Sequence, residues 1–273
     1  MKSFTNKVAV ITGAGSGIGR ALAQRLSLEG AHLALSDLNL AGLEETQASL
    51  AGSGKVSITQ LDVSNRQAFE AFSQQVIEEF GHADMLFNNA GVALAETVEN
   101  CSYDDFEWVM NINFWGVVYG TKSFLPHLLT RPEAAIINVS SIFGIIALPT
   151  QSQYNASKFA VRGFTESLRQ EVKNSKVYVG CVHPGGIKTN IVSNGRMHTS
   201  MMGEQSHAQQ IEDFNKAART TPAKAADVIL SGVRNNKRRI LIGLDARIMD
   251  RIQRFFPEKY TEIFDYIVKK ISK

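Results

Sequence analysis

Four glycines alternate with other residues directly behind a short apolar run: Lys7-Val-Ala-Val-Ile-Thr12 leads into Gly13-Ala-Gly15-Ser-Gly17-Ile-Gly19. The apolar run suits a strand buried on both faces and is too short for a helix. A helical pattern with Leu22, Leu26 and Leu28 follows the glycines. Strand, glycine turn and helix N-terminus in that order make a phosphate cradle. Glycines let the backbone turn tightly and approach a pyrophosphate, and the helix end offers free N–H groups and its positive dipole end. By themselves these residues also suit an ordinary β–α turn.

The rest of the chain keeps the alternation. Strand-like runs lie at residues 31–37, 55–61, 83–87, 134–139, 176–182 and 240–243, and helical patterns at 65–80, 103–129 and 154–173 separate several of them. Such alternation implies a parallel sheet with helices on both faces and ligands outside the carboxyl ends of its strands. The predicted architecture is an α/β, doubly wound Rossmann fold with a seven-stranded, mostly parallel sheet. It occupies residues 1–244, with a substrate lid at 190–221. Residues 245–273 are expected to add two C-terminal amphipathic helices to the same domain.

Composition limits the function classes. A chain of 273 residues, 44% hydrophobic, can bury one sizeable core. A net charge of +3 gives no ground for nucleic-acid binding. No apolar run reaches the ~18 residues of a membrane span, so a cytoplasmic location is expected. Cys101 and Cys181 lie far apart, and Cys181 falls in an apolar run. A buried free thiol is expected there, and no metal site.

Residues with chemistry gather at the strand ends. Asp37 stands 20 residues after Gly17. An acid there can bond both ribose hydroxyls of NAD and repels the 2′-phosphate of NADP. Leu38 follows, with no arginine beside Asp37. Arg20 is expected to be a solvated helix charge, although an arginine can accommodate that phosphate, which keeps NADP open. Asp37 also suits the N-cap of a helix starting near Leu40. Asn88-Asn-Ala-Gly91 is small enough for a flat ring to approach. Asn111 and Asn113, followed by Gly116, predict an irregularity in the long helix around them. Tyr154 and Lys158 are four apart in a helical pattern and so share a face. A nearby ammonium lowers a phenol pKa from its usual ~10, so that the tyrosine can exchange a proton.

Thr12-Gly-x-x-x-Gly-x-Gly19, Asn89-Ala-Gly91, Asn113, Ser141, Tyr154-x-x-x-Lys158 and Pro184-Gly185, in this order and spacing, closely resemble the short-chain dehydrogenase/reductase family in its single-domain form. The resemblance covers roughly residues 7–190. It implies that Tyr154 is the general acid or base, Lys158 lowers its pKa and holds the nicotinamide ribose, Ser141 bonds the substrate carbonyl, and Asn113 holds a relay water. It further implies cofactor contacts at Gly13, Ser16, Gly17, Ile18 and Gly19 around the pyrophosphate, at Asp37, at Asp62 and Val63 beside the adenine, and at Asn89, Ala90 and Gly91. Pro184, Gly185, Ile187 and Thr189 would serve the carboxamide side. His183 is expected to have a packing or turn role. The implied function is hydride transfer between NAD(H) and an apolar secondary alcohol or ketone. An NADP-dependent carbonyl or 3-oxoacyl reductase is the alternative, and a non-catalytic NAD-sensing protein a further one. A homodimer or homotetramer is expected from the resemblance.

The lid stretch carries Ile191, Val192, Met197, Met201, Met202 and Phe214, adaptable apolar surface for an apolar substrate. His198 and His207 have no metal-like spacing and are expected to be solvated. Beyond residue 245, Ile248, Ile252, Phe255, Phe256, Tyr260, Ile263, Phe264, Ile267 and Ile271 recur at helical spacing, split by Pro257. These helices are expected to cap the substrate side or pack on another subunit. A second alternative is that the later helix rests on a membrane surface.

Overall fold

The computed structural model describes residues 1–200 and 206–264. Seven strands form one sheet: β1 (Val8–Thr12), β2 (His32–Asp37), β3 (Val56–Gln60), β4 (Met85–Asn88), β6 (Ala134–Val139), β7 (Val177–Pro184) and β9 (Arg239–Ile242). Their order is β3-β2-β1-β4-β6-β7-β9, and every pair is parallel. The strand order reverses between β1 and β4, which opens the crevice where doubly wound folds bind ligands.

Alternate strand residues feed two cores. Ala9 and Ile11 face Leu22 and Leu26 of α1 (Gly17–Leu28) and Ile229 and Val233 of α8 (Pro222–Arg234). Val10 faces the other way, toward Phe69, Phe72 and Val76 of α3 (Arg66–Phe80) and Phe124 and Leu128 of α5 (Gly116–Leu129). Full burial of each such side chain contributes about 1.5–3 kcal/mol. Burial on both faces explains why these strands read as continuous apolar runs.

Side-chain caps fix where several helices start. Asn39 accepts from the Gly42 amide at the head of α2 (Leu40–Ala48), Asn65 from Ala68 for α3, and Thr221 from Lys224 for α8. Asn39, and not Asp37, is therefore the cap of α2. Ser16 stands before α1 without a side-chain capping bond.

The stretch around Asn111 and Asn113 is irregular as expected. α4 (Tyr103–Met110) passes into a π-helical turn, Asn111–Trp115, before α5 begins at Gly116. A Cβ on Gly116 would come within 3.0 Å of Val63 Cγ2, so the glycine lets this helix close on the end of β3.

A two-stranded sheet was not foreseen. β5 (Leu94–Ala95) pairs in parallel with β8 (Arg196–Met197). Two residues are too few to show any period in sequence. α7 (His207–Ala217) follows within the lid stretch; Met201 and Met202 lie outside the described residues.

α9 (Leu244–Phe255) leads into the stretch expected to be the C-terminal extension. Ala246, Met249 and Ile252, with Tyr260 and Phe264, pack against Ile142, Ile145 and Ile146, in the segment that follows β6. The Ala147 amide donates to the Tyr260 hydroxyl at 3.2 Å. The chain turns at 257–259 and is helical again from Tyr260; Ile267 and Ile271 lie outside the described residues. No described helix is long and apolar enough to cross a membrane.

Candidate active site

The site is assembled at the carboxyl ends of β1, β4, β6 and β7. Thr12, the last residue of β1, clamps two turns together. Its hydroxyl accepts the amides of Asn89 and Ala90, each at 3.0 Å. Asn89 Nδ2 answers by donating to the Thr12 carbonyl at 2.9 Å and the Gly13 carbonyl at 3.2 Å. Gly13 has φ +66, and a Cβ there would lie 2.8 Å from Ala90 Cα. Gly17 has φ +52 and faces Thr189, whose methyl would be 3.1 Å from an added Cβ. The glycine loop, Asn89-Ala-Gly91 and Thr189 thus close around one space at the uncapped start of α1. Ile18 packs its side chain into the core behind that start, which leaves its backbone toward the loop.

Asp37 ends β2 beside the same loop. Its Oδ2 accepts the Gly15 amide at 2.8 Å, and its Oδ1 accepts the Asn39 amide at 2.9 Å. Arg20 is not a solvated charge. Its guanidinium donates to the carbonyls of Gly15 and Gly42, to Thr46 Oγ1 and to Glu45. These bonds fasten α1 to α2. Asp62 is exposed at the end of β3, and its Oδ1 accepts the amide and hydroxyl of Ser64 at 2.9 and 2.6 Å. Val63 beside it is buried.

The proton-handling residues come from three elements. Ser141 follows β6, and α6 (Ser152–Glu171) presents Tyr154 and Lys158 on one face. The Ser141 hydroxyl is hydrogen-bonded with the Tyr154 phenol and accepts the Phe143 amide at 3.1 Å. Lys158 Nζ lies 5.6 Å from the centre of the Tyr154 ring and donates to the Val139 carbonyl at 3.3 Å. An added Cβ on Gly91 would be 3.2 Å from Lys158 Nζ and 3.0 Å from Asn113 Oδ1. Tyr154, Lys158, Asn113 and Gly91 therefore share one small space.

Burial sets the electrostatics. It pushes the Tyr154 phenol up to about 12, against the opposing pull of the Ser141 hydrogen bond. It pulls Lys158 down to about 8. Desolvation disfavours the charged form of each group, and here it outweighs the lowering of the phenol pKa that the Tyr–Lys spacing suggested.

Asn113 is fully buried, and its amide is committed. Oδ1 accepts the Val92 amide at 2.8 Å, while Nδ2 donates to the Val92 carbonyl at 3.0 Å and to Ser157 Oγ at 3.1 Å. The side chain thus pins the segment that leads from Gly91 to β5. His183 is also fully buried and has the expected packing role. Its Nδ1–H donates to the Ser141 carbonyl at 3.0 Å, and burial depresses its pKa to about 4. Pro184 ends β7; Gly185 donates its amide to Ile242 at 2.9 Å, and Ile187 is buried and bridges to Thr220.

Several contacts were missed in sequence. Phe143 meets the Tyr154 ring edge-on, centroids 6.0 Å apart. Leu94, Val109, Val92, Trp108 and Phe143 make the surroundings of Tyr154 apolar. Asp105 pairs with Arg196 at 2.6 Å and with His198 at 3.0 Å, and Arg196 stacks over Trp108 at 4.1 Å. His207 Nε2 lies 3.1 Å from the Val192 carbonyl. His198 and His207 are exposed, as expected, and each also makes a contact that fastens the lid stretch. The pairings of Asp105 with Arg196 and His198 join residues about 90 positions apart, beyond the reach of local pattern. Among the described residues no cluster could hold a metal ion.

The family model described as short chain dehydrogenase matches residues 7–199. An oxidoreductase named SadH from Mycobacterium tuberculosis is 45% identical over 268 residues, covering 96% of this chain and 95% of that protein. A short chain dehydrogenase/reductase from Burkholderia phymatum, solved in complex with NAD, is 29% identical with a TM-score of 0.85, covering 94% and 96% of the two chains. An alcohol dehydrogenase from the archaeon Thermococcus sibiricus, solved with 5-hydroxy-NADP, is 25% identical with a TM-score of 0.74, covering 86% and 95%. With the family model spanning most of the chain and the glycine loop, Ser141, Tyr154 and Lys158 gathered at one sheet edge, this protein belongs to the short-chain dehydrogenase/reductase family of oxidoreductases.

Proposed function

We propose that this protein transfers a hydride between NAD(H) and an apolar secondary alcohol or ketone, with Tyr154 as general acid and base. The observation that carries this reading is the buried arrangement of Ser141, Tyr154 and Lys158 beside a glycine loop that closes on Asn89-Ala90 and Thr189 at the start of α1. The nicotinamide supplies the hydride chemistry when bound. The chain's own residues do the rest. The start of α1 and the backbone of Gly13, Ser16, Gly17, Ile18 and Gly19 hold the pyrophosphate. Asp62 and Val63 flank the adenine, and Pro184, Gly185, Ile187 and Thr189 hold the carboxamide side. Lys158 holds the nicotinamide ribose, and its charge favours the phenolate form of Tyr154. Ser141 turns its hydroxyl to the substrate oxygen and stabilises charge there. In ketone reduction Tyr154 gives its proton to that oxygen; in alcohol oxidation it takes the proton back. Asn113 fixes the segment after Gly91, so a relay water would be held by backbone at the π-helical turn and not by its amide.

NAD is preferred because Asp37 faces the loop and Arg20 is spent on Gly15, Gly42, Thr46 and Glu45. The apolar side chains around Tyr154, with Val192 and Met197 in the lid at residues 190–221, favour an apolar substrate. Nicotinamide absorbance, followed with NAD⁺ or NADP⁺ and secondary alcohols of rising apolar size, tests both points. Turnover confined to NADP⁺ would establish the alternative carbonyl or 3-oxoacyl reductase. Cofactor binding with no turnover on any pair would favour a sensor.

Residues 1–244 and the extension at 245–273 act as one domain in this proposal, supported by the packing of α9 on the segment after Ser141. The free thiols Cys101 and Cys181 fit a cytoplasmic location. Exposed Tyr103, Phe106, Trp115 and Leu129 on the α4–α5 face support a homodimer or homotetramer, which light scattering would reveal. α9 also exposes Leu244, Ile248 and Phe255, with Phe256 just beyond it and Arg247 and Arg251 alongside. A basic amphipathic face of this kind, on the helix ahead of the one first expected to touch a membrane, supports peripheral membrane contact. Equal sedimentation of wild type and a Phe255→Glu/Phe256→Glu variant with anionic liposomes would exclude it.

A further inference from the structure

Asp245, near the start of α9, reaches back to the loop that follows β7. Its Oδ2 accepts the Gly186 amide at 2.7 Å. The approach is close: a Cβ on Gly185 would overlap the Asp245 carboxylate, and so would one on Gly243. Gly243, at φ +98, makes the turn that delivers Asp245 to this place. A charge-assisted bond from an amide to a carboxylate is roughly twice as strong as a neutral one.

The loop is held at its other end too. Lys188 donates its amide to the Thr220 carbonyl at 2.9 Å, and Thr189 lies against Gly17 of the glycine loop. Residues 184–189 are thus stretched between β9–α9 on one side and the glycine loop on the other. α9 is itself anchored, by the ion pair of Asp250 with Arg239 and by the packing of Ala246, Met249 and Ile252 on the segment after Ser141. One helix therefore touches both the segment carrying Ser141 and the loop carrying Ile187 and Thr189.

We infer that Asp245 is a positioning residue: it fixes, through the Gly186 amide, the loop that holds the nicotinamide half of the cofactor. This rests on the NAD(H) reading given above. The C-terminal extension thereby sets cofactor geometry as well as covering the substrate side. A simpler role exists for an acid in the first turn of a helix, favourable interaction with the helix dipole. That role would change stability and leave cofactor affinity alone.

The test compares wild type, Asp245→Ala and Asp245→Asn by NADH fluorescence titration, thermal melting and steady-state kinetics. Asp245→Ala is expected to weaken NADH binding about tenfold and to lower kcat, with KM for the alcohol within threefold of wild type. Asp245→Asn keeps an acceptor oxygen and loses the charge, so its NADH affinity is expected within threefold of wild type. NADH affinity of the folded Ala variant within twofold of wild type overturns the inference and leaves the NAD(H) reading standing. Should Asp245→Ala fail to fold, Asp245→Ser, whose hydroxyl falls short of Gly186, takes its place with the same expected loss and the same overturning result. Wild type that binds neither NADH nor NADPH would overturn the NAD(H) reading and the inference with it.

Discussion

Asp37 and Gly15 are joined by a 2.8 Å hydrogen bond from the glycine amide to the carboxylate. The acid that ends β2 is therefore part of the glycine loop and not a free side chain at its edge. Asp37→Ser removes both the bond and the charge. The ratio of kcat/KM for NAD⁺ to that for NADP⁺ is expected to fall at least tenfold, since the repulsion of a 2′-phosphate is gone. The unpaired Gly15 amide costs about 1 kcal/mol of stability. An unchanged ratio would show that Asp37 does not set cofactor choice.

Lys158 is buried and depressed to about 8, so it loses its charge within the working range. Its protonated form is the one that favours the Tyr154 phenolate. In ketone reduction both Tyr154 and Lys158 act protonated, so kcat/KM for NADH, which reports the free enzyme, is expected to fall as pH rises through about 8. Lys158→Arg keeps the charge at these pH values and is expected to remove that limb, at lower overall activity. A wild-type profile flat from pH 7 to 10 would contradict this.

His183 gives an acid-sensitive element of stability. Burial holds its folded-state pKa near 4, against 6.5 for an exposed histidine. Between these values the unfolded chain binds more protons than the folded one, so stability falls as pH drops from 6.5 toward 4. The loss across that interval is about 3 kcal/mol. Urea midpoints measured from pH 7.5 to 4.5 should show it, and His183→Asn should flatten it. Equal acid limbs in the two proteins would place the effect elsewhere.

Much of this architecture was legible because local chemistry dictates it. The two-faced burial of β1, β4, β6 and β7 leaves continuous apolar runs. Gly13 and Gly17 stand where positive φ and close approach exclude a side chain. Asn111 and Asn113 marked the π-helical turn by their poor fit to a helix. What escaped notice depends on distant pairing. Nothing near Asp245 in sequence points to Gly186. Arg20 looked solvated because its partners lie on α2 and in the glycine loop. The raised pKa of Tyr154 was hidden for a related reason. The four-residue spacing to Lys158 shows that a charge is near, but only the folded packing shows how little water remains.

The central claim is that Tyr154 moves the proton while its neighbours hold the cofactor. Tyr154→Phe tests it most directly, with NADH affinity measured beside the rate of NADH formation from an alcohol that the wild type oxidises. NADH affinity is expected within threefold of wild type, because the phenol oxygen is only one of many contacts. Turnover is expected to fall by at least about 10²-fold, the scale of general acid–base catalysis. Turnover of the Phe variant within a few-fold of wild type would contradict the role assigned to Tyr154.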